Sequence, residues 1–309
     1  MRKQVYDYFV NLENENLERY NGSILVTPKN MKKVFETDYS LEVYDINKNT
    51  FYLKWVGDLY DNLQPLASSK LFNNLGIISP PMDLSYKLDY NEYYQTTQDI
   101  ISVEKFDSCK QPSHISRYNS IQPYSSHNFT TDKWKIITDN SLRNYFLTFM
   151  TEDCLEELIN MTLIDELRSE SDRNMHNFFL YKEKGSDKYN GVVVLDFDLV
   201  EILADDNTTR NSFEYFLKSP YDTTTPHLAY DHKNYKTRIE DIRNLLHKGL
   251  LSNNNISIIK DTLNYDFPKE IENQGIKYHT QKSQIEKIKT PISFLWEYNR
   301  ETIGKDLGL

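Results

Sequence analysis

The chain has 309 residues, a formal net charge of −10 and 13% aromatic side chains. That length accommodates one two-lobed domain or two ordinary ones with a sizeable core, and the aromatic content excludes a disordered chain. The acidic balance, with no long Lys/Arg cluster, argues against direct nucleic-acid binding, and the lack of an apolar run of about 18 residues argues against a membrane span.

Cys109 and Cys154 form neither a disulfide framework nor a metal-site pattern. The first residues, Met1-Arg2-Lys3-Gln4-Val5, lack the apolar core of a secretory signal, so a cytoplasmic location is expected. Delivery into another cell as an effector stays open.

Val5, Phe9, Leu12 and Leu17 share one side of a predicted short helix over residues 1–20. Strand material follows at Ser23–Val26, Lys33–Phe35, Leu41–Tyr44 and Thr50–Trp55, with a hairpin turn expected over Asp45–Asn49. Lys54 is the one cation in the apolar run Phe51–Trp55. It reads either as an exposed edge lysine or as one that reaches phosphate oxygens. Leu63, Leu66, Ala67, Leu71 and Leu75 recur at helical spacing, and Gly76 is placed to end that helix. Strands are expected over Met82–Leu88 and Asp99–Phe106. The Tyr-rich run Tyr86–Tyr94 reads as strand and loop packing.

The polar stretch Asp107–Lys133 reads as a linker and the best boundary candidate, giving a division into residues 1–108 and 109–309. Trp134–Ile137 suggests a short strand, and Asn140 or Ser141 a cap for the helix through Phe149. Thr151 is an N-cap, and Leu155, Leu158, Ile159, Leu163 and Leu167 form the buried stripe of a helix reaching Ser169. Asp205–Thr225 is mostly polar. Helical spacing returns at Ile239–Leu246 and Ile256–Leu263, with two further helices expected around 280–288 and 292–303.

Between the long helix and that polar stretch lies the run that carries chemistry. Asp172 is followed by Asn177 and, after a turn containing Gly185 and Asn190-Gly191, by Asp196 at the end of the apolar run Val192–Leu195. An Asp, an Asn and a second Asp brought together by a hairpin are the groups a phosphoryl-transfer site uses. The first orients or deprotonates the acceptor hydroxyl, and the other two offer oxygens to Mg²⁺ beside the ATP phosphates. The bland alternative is two loop carboxylates and a turn amide with no joint role. His176 reads as structural or solvent-facing, and His227, His232 and His247 are too loosely spaced for a metal site.

This combination resembles the HipA-like and phosphatidylinositol-kinase-like atypical kinases, whose catalytic loop runs Asp-Arg-His-x-x-Asn and is followed by an Asp on a strand after a hairpin. Here it stands as Asp172-Arg173-Asn174-Met175-His176-Asn177 and Asp196-Phe197-Asp198. Leu163-Ile164-Asp165-Glu166-Leu167 is similar to the family's helix end, Phe51-Tyr52-Leu53-Lys54 to its lysine strand, and Ala67–Ile77 to the following helix.

The resemblance covers roughly residues 20–205. It implies an α+β, bilobal, protein-kinase-like fold with a β-rich N-lobe containing one helix and a mainly helical C-lobe. It implies Asp172 as catalytic residue, Asn177 and Asp196 as Mg²⁺ ligands, Lys54 on the ATP phosphates, and a protein Ser/Thr substrate. Asp198 stands where many kinases carry glycine. The sequence departs from the pattern where Asn174 takes the usual His position. No clear Glu follows Lys54, Asp61 and Gln64 being nearest, and no Gly-rich loop precedes it. Two alternatives stay beside this reading. One is a small-molecule kinase of the aminoglycoside or choline type, which usually carries His where Glu170 stands. The other is a catalytically weak pseudokinase acting as a binding module.

Overall fold

The computed structural model describes residues 8–9, 15–27, 29, 32–36, 41–46, 49–55, 59–101, 103–119, 134–170, 173, 175–197 and 228–309. Asp172, Asn174, Asp198, His227 and the polar segment Asp205–Thr225 lie outside them. The chain is a mixed α+β protein with a sheet lobe and a helical region.

Among the described residues the sheet lobe has seven strands: β1 (Arg19–Tyr20), β2 (Ser23–Val26), β3 (Lys32–Glu36), β4 (Leu41–Ile46), β5 (Asn49–Trp55), β6 (Met82–Lys87) and β7 (Glu92–Gln98). Their order is β1-β2-β6-β7-β5-β4-β3. Among the described strands of this sheet β2 pairs with β6 in parallel and the other pairs are antiparallel; in the β4–β5 pair Ile46 stands opposite Asn49. Phe51 and Leu53 point into a small core with Ile24, Val26, Tyr44 and Tyr94, while Tyr52 and Lys54 alternate to the other face.

Helix α1 (Leu63–Asn74) connects β5 to β6. Its end is built as the sequence predicts: Gly76 takes φ +81, and the Ile77 amide reaches back to the Phe72 carbonyl at 3.0 Å. Leu63, Ala67, Leu71 and Phe72 belong to the main core of the helical region rather than to the small core of the sheet. That region is built from α2 (Asn140–Phe146), α3 (Glu152–Arg168), α4 (Leu228–His247), α5 (Asn253–Asn264), α6 (Phe267–Lys277) and α7 (Lys282–Asn299). A second sheet, in the order β10-β9-β8, joins them through β8 (Phe106–Lys110), β9 (Phe178–Glu183) and β10 (Gly191–Val194). Each fully buried Leu, Ile or Phe here contributes roughly 1.5–3 kcal/mol.

Several sequence expectations are corrected. Arg19–Tyr20 is a strand turned back at Asn21-Gly22, not the end of a helix. The described residues of Asp99–Lys105 form no strand: the Asp99 carboxylate accepts from the Ile101 amide at 3.0 Å, making a local turn, and Ile100 and Val103 pack with Phe106, the first residue of β8, in a small cluster that also holds Tyr8, Phe9 and Tyr181. The strand beside β6 and β5 is instead the Tyr-rich run Glu92–Gln98. The expected linker starts with ordered elements, since β8 extends to Lys110 and Pro112–His114 is a helical turn. Residues 120–133 lie outside the described residues.

Trp134–Ile137 contributes to a helical turn, and the α2 cap is Asp139, which accepts from Ser141 and Leu142. The two tail helices are one. α7 runs through Pro291 because Ile285, Ile288, Ile292, Leu295 and Trp296 keep one buried stripe, and it passes into a wider turn at Arg300–Gly304. α6 was not anticipated.

Candidate phosphotransfer site

Two strands from different sheets bring the site together. Lys54, near the end of β5, directs Nζ to the Asp196 carboxylate at 2.9 Å, across a separation of 142 residues. Asp196 follows β10, and its backbone is left-handed, with φ +49. Non-glycine residues seldom hold that conformation unless the surroundings enforce it. Both side chains are more than a third exposed, so solvent screening limits the pair to about 1 kcal/mol of stability or less. The site faces water and is open to a solute.

The β9–β10 hairpin sets the second juxtaposition. Phe178 pairs with Val194, so the residue before β9 and the residues after β10 are neighbours. The Leu195 amide donates to the Asn177 carbonyl at 3.1 Å. Asn177 is buried, and Asp196 lies one residue beyond that contact. β10 is tied to the segment after α1 by the Val194 amide, which donates to the Ile78 carbonyl at 2.8 Å.

Arg173 fastens this corner. Its Nε and Nη2 donate to the two Asp165 oxygens at 2.8 and 3.3 Å. Its Nη1 donates to the carbonyls of Asn177 at 2.6 Å, of Leu195, and of Asp196 at 3.4 Å. Burial alone would lower its pKa, but the Asp165 charge and hydrogen bond, with Glu170 and Asp196, hold it above the usual range. One guanidinium thus ties the end of α3, the entrance to β9 and the exit from β10. Asp172 precedes it directly in the sequence.

Beneath lies Arg168, whose side chain has no exposed surface. Its Nη2 donates to Ser68 Oγ of α1 at 2.7 Å, and it faces Asp165 and Glu170 at 3.5 and 3.7 Å. Burial lowers its pKa, offset in part by those two acids. Its guanidinium carbon lies 5.3 Å from the Phe197 ring centre and 5.6 Å from that of Phe72. Arg238 of α4 donates to the Glu170 carbonyl at 2.8 Å. From the side, the Gln111 amide donates to the His176 carbonyl at 2.8 Å, and Ser113 meets His176 Nδ1 at 3.2 Å.

The structure therefore brings Lys54, Asn177 and Asp196 to one corner, while Asp172 lies outside the described residues. Lys54 meets Asp196; of the two residues nearest as a Glu substitute, Gln64 is buried in α1, and the Asp61 side chain lies outside what the structure describes. Burial, with a smaller push from Asp99, raises the Cys109 thiol to about 12, and burial also raises Cys154, so neither is poised as a nucleophile. Among the described residues no group of three or more His, Cys, Asp and Glu side chains is gathered for a metal. One carboxylate and one amide still suit Mg²⁺, which usually takes one or two carboxylates and completes its shell with phosphate and water oxygens.

With this geometry in hand, the chain can be set beside known proteins. It aligns with the crystal structure of a Helicobacter pylori proinflammatory kinase, CtkA. The alignment covers 86% of this chain and 92% of that one, at 13% identity and a TM-score of 0.46. No protein-family model and no curated protein matches the chain. A structural overlap that loose carries no function from one chain to the other. No helix among the described residues is long and apolar enough to cross a membrane.

Sequence reading passed over Arg168 and Arg238, and gave Asp165 and Glu170 no part in an ionic cluster. A signal for Arg168, Asp165 and Glu170 was present in the sequence. The run Asp165-Glu166-Leu167-Arg168-Ser169-Glu170 sets three acids and one cation at the end of a helix with an apolar stripe. Charges placed there must either face water or pair inside, and these pair inside.

Proposed function

We propose that this chain transfers the γ-phosphoryl group of ATP to Ser/Thr hydroxyls of a protein, with Mg²⁺, as a HipA-like atypical kinase. The supporting observation is the 2.9 Å approach of Lys54 to Asp196. The two residues come from opposite halves of the chain and converge where the hairpin also delivers Asn177. In this reading Lys54 binds ATP phosphates, and Asn177 and Asp196 hold the metal. The metal supplies neutralisation of phosphate charge when bound.

Asp172 orients the acceptor hydroxyl and accepts its proton. Arg173, pinned to Asp165, fixes the backbone on either side of that work, so catalysis is positioning and charge placement without a covalent intermediate. The ion pair of Lys54 with Asp196 keeps the carboxylate aimed into the cleft before nucleotide arrives. We place the lobe division near residue 108, with nucleotide between residues 1–108 and 109–309, and a protein substrate met in the cytoplasm.

Radiolabelled ATP with Mg²⁺ tests this, comparing wild type with Asp172→Ala and Asp196→Ala. Label on protein that both variants lose supports the proposal. Label that appears only on added aminoglycoside or choline-type acceptors moves the assignment to a small-molecule kinase. No label and no nucleotide-induced thermal shift refutes phosphotransfer and leaves a binding module.

A further inference from the structure

We propose that Arg168 is a positioning residue for Asp196, acting through Phe197; its bearing on nucleotide rests on the function proposed above. Phe197 is 1% exposed and follows Asp196 directly. Its ring is held by two cations: the guanidinium carbons of Arg168 and Arg173 lie 5.3 and 5.5 Å from its centre. Phe72 of α1 closes the stack, 5.4 Å from Phe197.

A guanidinium over an aromatic face is attractive, and more so without water. Arg168 is itself fixed by Ser68 on α1 and by Asp165 and Glu170 at the end of α3. The ring therefore cannot swing without breaking a buried ionic cluster. Because the ring is fixed, the preceding residue is held in its left-handed backbone, and that backbone aims the carboxylate at Lys54. A leucine at 197 would fill much of the same space but offer no π face. An arginine that merely filled the core would need neither the ring beside it nor the Ser68 contact.

The reporter is the Leu195 amide, which donates to the Asn177 carbonyl, with the Val192 and Val194 amides of β10 as internal references. Amide hydrogen exchange is compared in wild type, Ser68→Ala, Phe197→Leu, Arg168→Lys and Arg168→Met. Ser68→Ala and Phe197→Leu are the variants chosen to keep the fold. Both are expected to speed Leu195 exchange about tenfold while Val192 and Val194 change less than about twofold, as local opening predicts. Arg168→Met is expected to exceed them, and Arg168→Lys to restore part of the protection.

ATP affinity is measured on the same proteins in Mg²⁺ and in EDTA. The variants are expected to lose about tenfold in Mg²⁺ and to stay within about twofold in EDTA, because the defect lies at one carboxylate. Unchanged Leu195 exchange, or exchange rising equally at Val192 and Val194, overturns the clamp. Wild-type ATP binding that ignores Mg²⁺ overturns the phosphotransfer reading instead, and the exchange comparison then decides the clamp alone.

Discussion

Replacing Arg173 with methionine removes the fastening while keeping much of the side-chain volume. Asp165, whose side chain is 3% exposed, loses its bidentate partner and, among the described residues, keeps Arg168 at 3.5 Å as a close cation. The carbonyls of Asn177, Leu195 and Asp196 lose a shared donor. Breaking a buried ion pair from one side costs about 3–5 kcal/mol, most of it from the charge left behind. Unfolding entropy of about 2.1 cal/mol/K per residue over 309 residues converts that into a fall in Tm of roughly 5–8 °C.

Differential scanning calorimetry measures it. The orphaned carboxylate gives a second handle: adding Asp165→Asn to Arg173→Met is expected to return about 1–2 kcal/mol, because the uncompensated charge is gone. A Tm within about 1 °C of wild type in Arg173→Met, or a double variant that loses the sum of both singles, refutes the reasoning.

Lys54→Met is expected to change unfolding free energy by less than about 1 kcal/mol in chemical denaturation, since the pair it breaks is solvent-screened, yet to abolish phosphoryl transfer. Gly22→Ala is expected to lower stability by more than about 2 kcal/mol. Gly22 sits at φ +83, and a Cβ there collides with the Lys277 backbone carbonyl, so calorimetry of this variant tests the approach of the β1–β2 turn to α6. Native protein at pH 8 should leave both cysteines unreacted with a thiol reagent until denaturant is added, since Cys109 is raised to about 12 and Cys154 is also raised.

The hydrogen bond from Arg243 lowers the Asp306 pKa, so the unfolded chain binds its proton first as pH falls. Stability from this contact is therefore full above about pH 4 and lost below it. A Tm series in acid should show Asp306→Asn losing less than wild type over that range.

Much of the fold was legible because local chemistry and burial agreed. α1 and α3 carried their apolar stripes, α1 its Gly76 stop and α3 its Thr151 cap, and the β9–β10 hairpin announced its turn with Gly185, which takes φ +79. What failed had competing signals. The apolar residues of Asp99–Phe106 look like strand, but the Asp99 side chain captures the nearby amide and the ladder forms one segment earlier, with tyrosines. Pro291 looks like a break, yet an uninterrupted buried stripe outweighs one missing amide donor.

At the site, Lys54 and Asp196 were legible as individual residues because their chemistry is conspicuous in an apolar strand and at a strand end. The ionic layer below showed in the sequence only as a charged run at the end of α3, without its partners. Pairing among Asp165, Arg168, Glu170, Arg173 and Arg238 depends on α3, the loop and α4 meeting in space, which residue spacing alone does not encode.

The buried carboxylate of Asp83 in β6 gives the molecule an order of assembly during synthesis. It accepts from Arg19 at 3.1 Å and from the hydroxyl of Tyr278, a residue made 195 positions later, at 2.7 Å. At about 5–20 residues per second, a ribosome needs roughly 10–40 s to travel between them. Throughout that interval the emerging sheet carries an acid whose second partner does not yet exist, and Leu84 lacks Tyr278, with which it is buried in the finished protein. The nascent sheet is thus held short of its final packing until α6 has left the exit tunnel, and the chain locks at its front from its back.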